Sequence, residues 1–111
     1  MGYIECALIA KRLEKYGRTE IEPNPTKCTI KYWHGDVVAI FNFEGNILTD
    51  ADFQCEKTAF VDYMKAATAR VGIRYVWHHH VSRSGTLEHI HIYNCSIRVL
   101  ENILENMPYI Y

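Results

Sequence analysis

The sequence predicts an α+β fold: an antiparallel β-sheet of about four or five strands with helices packed mainly on one face, in the order αββ(β)αββα. Three observations predict it. Short segments rich in β-branched and aromatic residues alternate with period two or run continuously apolar: KCTIKYWH (27–34), VVAIFNF (37–43), IRYVWHHHV (73–81) and TLEHIHIYN (86–94). Three other segments carry apolar residues at three-to-four spacing, as helices require. Glycine-containing turns join neighbouring strands, which makes them hairpins.

At the N-terminal end, residues 4–16 (IECALIAKRLEKY) read as a helix, with Ile4, Leu8 and Ile9, then Arg12 and Leu13, recurring at three-to-four spacing and Gly17 as its stop. Residues 18–26 (RTEIEPNPT) hold two prolines and no periodicity, so they read as a connecting loop. Gly35-Asp36 turns the first strand into the second. Glu44-Gly45-Asn46 turns again and leaves Ile47-Leu48 as a short strand. Thr49 or Asp50 is placed to cap a second helix over 52–71, with Asp52 and Glu56 at its positive end. Phe53, Phe60, Met64, Ala67 and Val71 mark its inner face, and Gly72 sits where a C′ glycine belongs. After the 73–81/86–94 hairpin, Ser96 can cap a last helix with Ile97, Leu100, Ile103, Leu104 and Met107 inward and Pro108 at its end.

The chain has 111 residues, 49% hydrophobic and 23% charged, with a net charge of −1. That is one globular domain, 1–111, and not a disordered chain. No apolar run reaches the ~18–20 residues of a membrane span, and Glu5 interrupts the N-terminal apolar stretch, so neither a span nor a signal peptide is expected. Cys6, Cys28, Cys55 and Cys95 form no CxxC pair. The expectation is therefore a cytoplasmic protein with reduced, buried thiols and no disulfide framework. Twelve Lys and Arg against thirteen Asp and Glu give no global basic field, so phosphate chemistry must come from a local site. Glycine-rich phosphate loops and GxSxG are absent from the sequence. Asp50/Asp52 and Glu20/Glu22 read as a helix cap and a solvated loop rather than as acid–base pairs.

Five of the six histidines fall between residues 78 and 91. Two hairpin registers are open: one pairs His80 with His89 and His78 with His91, the other pairs His78 with His89. In either, His78, His80, His89 and His91 share one face while Trp77, His79, Ile90 and Ile92 share the other. Imidazoles this close are tolerated when neutral, and neutral imidazoles are metal ligands. A solvated face or a pH-sensing interface are the other readings. His34, alone at a hairpin tip, reads as a turn residue. Arg74, Arg83 and Arg98 bracket the hairpin and could meet phosphates. Tyr32, Trp33 and Trp77 could stack bases, with Trp77 expected toward the core.

His89-Ile90-His91 is a His-hydrophobe-His triplet on a strand, preceded by an aromatic strand (Tyr75-Val76-Trp77) and a glycine turn. Over residues 60–94 this layout resembles the HUH endonuclease superfamily of rolling-circle replication initiators, conjugative relaxases and single-strand transposases. The resemblance implies a nuclease of mobile elements or phage that nicks single-stranded DNA. It implies one Mg²⁺ or Mn²⁺ held by His89, His91 and a third ligand at His80, with His78 nearby. It also implies a nucleophilic tyrosine, for which Tyr109 and Tyr111 are the downstream candidates and Tyr16 the one a relaxase layout would use. Trp77-His78-His79-His80 followed by Gly85 and Leu87 is similar to the WHH branch of HNH nucleases. There the last helix supplies a further ligand, and this chain offers Glu101, Asn102, Glu105 and Asn106. From another class, plentiful aromatics and a non-basic charge suit a small binding protein, a phage-type inhibitor or immunity factor with a protein partner on an HUH-like scaffold.

Overall fold

The computed structural model describes residues 2–24, 26–82 and 85–110, with the backbone alone at His80, Ser82, Gly85 and Thr86. Among them the chain runs α1 (Tyr3–Leu13), β1 (Arg18–Glu22), β2 (Cys28–His34), β3 (Val37–Glu44), β4 (Ile47–Cys55), α2 (Thr58–Val71), β5 (Arg74–Ser82), β6 (Gly85–Ser96) and α3 (Ile97–Glu105). The strands form one antiparallel sheet in the order β1-β2-β3-β4-β6-β5. The first four are a meander. Helix α2 then carries the chain past an empty place in the sheet, and β6 returns to fill it between β4 and β5.

Period two sorts the residues of each strand onto two faces. Ile30, Tyr32, Phe41, Phe53, Ile90 and Ile92 point to one side and are 0% exposed. Leu13 of α1, Phe60 and Met64 of α2, and Leu100 and Ile103 of α3 complete the same core, so the helices cover that face. Burying each such side chain contributes about 1.5–3 kcal/mol before ordering entropy is subtracted. Lys31, Trp33, Ile40, Asp50, Asp52, Gln54, His89, His91 and Tyr93 point the other way and stay partly accessible. Gly72 ends α2 in the left-handed region (φ 68°), and the Ser96 side chain caps α3 by accepting from the Val99 N–H. Gly35 is also left-handed, and a Cβ there would stand 2.0 Å from the Ile110 carbonyl oxygen, which accepts from the Asp36 N–H. The segment after α3 is thereby fastened to the β2–β3 turn.

Four expectations are corrected. Residues 18–22 are not loop but an edge strand, paired from Arg18↔Trp33 to Glu22↔Thr29, which raises the strand count to six among the described residues. Its only half-buried side chains are Thr19 and Ile21, too few to write an apolar alternation into the sequence. Residues 52–55 belong to β4, and α2 begins at Thr58. The register of β3 against β4 shifts at Asn42/Phe43, where Phe43 faces Leu48 and Asn42 faces Asp50. That irregularity sets Leu48 and Ala51, both buried, three residues apart, a spacing that mimics a helix.

Helix α1 buries Cys6, Ile9, Ala10 and Leu13 rather than Ile4 and Leu8, which are 76% and 63% exposed. Cys6 and Ala10 are small enough to bring the helix close to the sheet. Cys6 also bonds to Cys28, joining α1 to β2 across Cα atoms 5.3 Å apart, so the expectation of four reduced thiols does not hold. Cys55 and Cys95 are free and buried. No described helix is long and apolar enough to cross a membrane.

Candidate metal centre

The site is built by two ladders meeting on β6. On one side β5 pairs His78 with His89, Val76 with His91 and His80 with Leu87, which is the second of the two registers the sequence allowed. On the other side β4 sets Gln54 against His89, Asp52 against His91 and Asp50 against Tyr93. Strand alternation then sends Asp50, Asp52, His78, His89 and His91 to the face the helices leave open. The His78 ring lies 5.3 Å from that of His91 and 6.3 Å from that of His89, and the His89 and His91 rings are near parallel at 6.3 Å.

Asp52, His89 and His91 each offer one ligand atom within 4.8 Å of the others. Asp52 Oδ1 is 3.1 Å from His89 Nδ1 and 3.7 Å from His91 Nε2. Donors bonded at about 2.0–2.1 Å to a tetrahedral ion stand roughly 3.4 Å apart, so the two separations bracket that edge. The neighbours orient the set. Asp50 Oδ1, 3.2 Å from His91 Nδ1, accepts that nitrogen's proton and leaves the Nε2 lone pair facing Asp52. Gln54 Nε2 donates to Asp52 Oδ2 at 3.2 Å, which leaves Oδ1 for the imidazoles. Two imidazoles and one carboxylate suit Mn²⁺, Fe²⁺ or Zn²⁺ better than an all-oxygen Mg²⁺ sphere.

His78 stands exposed at the rim of the group. The His80 side chain lies outside the described residues, as do Arg83 and Tyr111. His79 points to the other side of β5 and pairs with Glu88. Trp77 is half-buried and meets Phe60 edge-on, on the helix side, as its parity requires. Arg74 lies beside the centre, its guanidinium 5.8 Å over the Tyr93 ring, and Tyr93 stacks on His91 at 6.1 Å. Arg98 is exposed on α3, away from this face.

Tyr109 stands edge-on to His34 at 5.2 Å. His34 follows Tyr32 on the helix-covered face of β2, three strands from β6, or about 14 Å. Tyr109 and the imidazole group are therefore on opposite faces. His34 itself ends β2 half-buried, with Nδ1 2.9 Å from the Tyr16 carbonyl oxygen, rather than idling in a turn.

Helix α3 offers nothing to the centre. Glu101 accepts from Arg12 and from Tyr16, and Asn102 accepts from Arg70 at 2.9 Å. Burial pushes the Glu101 carboxyl up, but the bonds from Arg12 and Tyr16 outweigh it and hold the group below the ordinary carboxylate range. Burial raises the thiols of Cys55 and Cys95, the latter to about 11, which removes them as thiolate ligands.

The sequence reading missed Asp50, Asp52, Gln54 and Tyr93. Tyr93 continues the two-residue step from His89 and His91, and Asp50-Ala51-Asp52 shows the same step. Comparison with protein-family models, with curated proteins and with solved structures gives no match to this chain.

Proposed function

We propose that this protein is a divalent-metal-dependent nuclease acting on single-stranded DNA, with Asp52, His89 and His91 as the ligand set. One observation carries the reading: three ligand atoms from two adjacent strands converge on an accessible sheet face, with Asp50 and Gln54 fixing which atoms they present. The likeness to HUH endonucleases supports it, with the third ligand supplied by Asp52 of β4 in place of His80. A divalent ion held by Asp52, His89 and His91 would supply Lewis-acid chemistry toward a phosphoryl oxygen and toward water. Arg74 can meet a neighbouring phosphate, and the Tyr93 ring offers a platform for a base. The nucleophile in this reading is water; of the two downstream tyrosines named from the sequence, Tyr109 stands on the other face and Tyr111 lies outside the described residues. With a net charge of −1, affinity for DNA should be modest and local in origin, leaning on the metal and on Arg74.

The test is cleavage of end-labelled single-stranded oligonucleotides with Mn²⁺, read on denaturing gels. Wild type should cut and His91→Ala should not. An intact oligonucleotide with metal-loaded wild type overturns the reading, and a covalent protein–DNA adduct would replace water by a tyrosine. One observation favours a protein-binding role instead: Tyr3, Ile4 and Leu8 expose 73%, 76% and 63% of their surface along one helix. Calorimetric titration with Mn²⁺ separates the two. Binding lost in His89→Ala supports the nuclease, whereas absence of binding in the wild type supports the protein-binding role.

A further inference from the structure

The sheet has two edges, and the chain treats them differently. β1 closes one edge with five residues, of which Arg18, Glu20 and Glu22 are charged and exposed. Pro23, which has no N–H to offer a further strand, follows at once. Short length, charge and proline are devices by which native sheets keep other strands off an edge. β5, on the other edge, has none of them. It runs for nine residues without a proline, and Arg74, at its first position, is its one residue charged at neutral pH. Among the described residues no strand pairs with its outer side, so alternate N–H and C=O groups along it point away from β6 and from the sheet.

The side chains beside that edge are uncovered as well. On the helix side Trp77 is half-buried against Phe60, but Tyr75 and Val81 expose 44% and 75% of their surface, so the helix layer stops short of both ends of the strand. On the open face Val76 exposes 40%. A partner for this edge must be an extended strand with apolar side chains at matching positions. β5 itself meets that description. Two antiparallel copies related by a two-fold axis normal to the sheet present the same face on the same side. A register centred on His78 then sets Tyr75 against the partner's Val81, and Val81 against the partner's Tyr75. An exposed aromatic and an exposed β-branched side chain cover each other twice. Charge fits too. The two Arg74 residues lie four residues to either side of the axis, about 27 Å apart, so no like charges face each other.

We propose that β5 pairs antiparallel with β5 of a second copy of this chain, in the register centred on His78, to make a two-fold dimer with one continuous sheet. The pairing engages about seven residues a side against the 20–30 of a standard interface, so the dimer is small and forms in a concentration-dependent way. The open faces of both copies look the same way. His78 stands beside the partner's His78, with about 5 Å between Cα atoms. His89 pairs with His78 in each copy, so three strand spacings, about 14 Å, separate the two His89 residues. Each copy thus brings an imidazole toward the rim of the other's metal centre.

Sedimentation velocity in EDTA, at protein concentrations from about 5 to 500 μM, is the test. A monomer–dimer equilibrium is expected in the wild type. Val81→Lys puts a charge at an exposed position that the single chain tolerates, removes both apolar pairs, and should weaken the dimer about tenfold or more. The register is read separately by oxidising two variants with diamide. His78→Cys should join into a covalent dimer, since the two Cα atoms stand within disulfide range, and Arg74→Cys should not. A wild type that stays monomeric across the range overturns the proposal and leaves the edge to a strand from another protein. A dimer that Val81→Lys leaves unchanged overturns it too, as does one that crosslinks through Arg74→Cys as readily as through His78→Cys. No metal or nucleic acid is present, so the outcome is independent of the cleavage test.

Discussion

Strand β6 faces two ways within a single residue step. Ile90 and Ile92 are 0% exposed beneath the helices, while the side chains of His89 and His91 keep 18% and 25% of their surface on the open face. The covered face is apolar, close-packed and joined to α1 by a disulfide. The open face carries carboxylates and imidazoles that satisfy one another. Stability and chemistry are thus assigned to alternate residues of the same strands, and substitutions one position apart should have unlike consequences.

The largest expected effect lies on the covered face. Phe53→Ala removes a fully buried ring next to Asp52 and should lower unfolding free energy by about 3–5 kcal/mol in a urea titration. A loss below ~1 kcal/mol would break the contrast between the faces. Cys6→Ser, which opens the disulfide across a sequence separation of 22, should cost about 3 kcal/mol by the same measurement. On the open face, Asp50→Asn should weaken Mn²⁺ or Zn²⁺ binding about 10- to 100-fold by calorimetry while leaving metal-free stability within ~1 kcal/mol. A comparable loss of metal-free stability would show that the open face supports the fold as well.

The smallest effect is titratable. Glu101 has a folded-state pKa below its ordinary value, so its ionic contribution is present above the unfolded pKa and is lost as pH falls through the folded value. Wild type should lose about 1 kcal/mol more than Glu101→Gln on acidification below pH ~4.3, measured as the difference between their denaturation midpoints. Parallel pH curves would reject the ion pair as a contributor.

Sequence legibility followed the same division. The β5–β6 hairpin, the β2–β3 turn, the Gly72 stop and the inward face of α3 were legible because each depends on local chemistry: alternation, a left-handed residue, a capping serine. The centre was half legible. His89 and His91 announce themselves, and Asp52 does not. Thr49, Asp50 and Asp52 suited a helix N-terminus and Phe53 stands two helical turns before Phe60, which together disguised the end of β4 as the start of α2. The Cys6–Cys28 bond was hidden because only the packing of α1 on the sheet brings those residues together. The edge strand β1 escaped because two half-buried side chains suffice for it.

The insertion of β6 between β4 and β5 also sets a timetable. Asp52 precedes His89 by 37 residues and Asp50 precedes His91 by 41, with a helix and the whole of β5 made in between. During synthesis the four-strand meander can pair while these aspartates still face no imidazole. The centre comes into being only when the last-made strand enters the sheet, a long-range closure of the kind that slows folding. An ion held by β4 and β6 together favours the completed sheet over every earlier intermediate. Metal uptake followed during refolding would therefore time the pairing of β4 with β6, without a label on either strand.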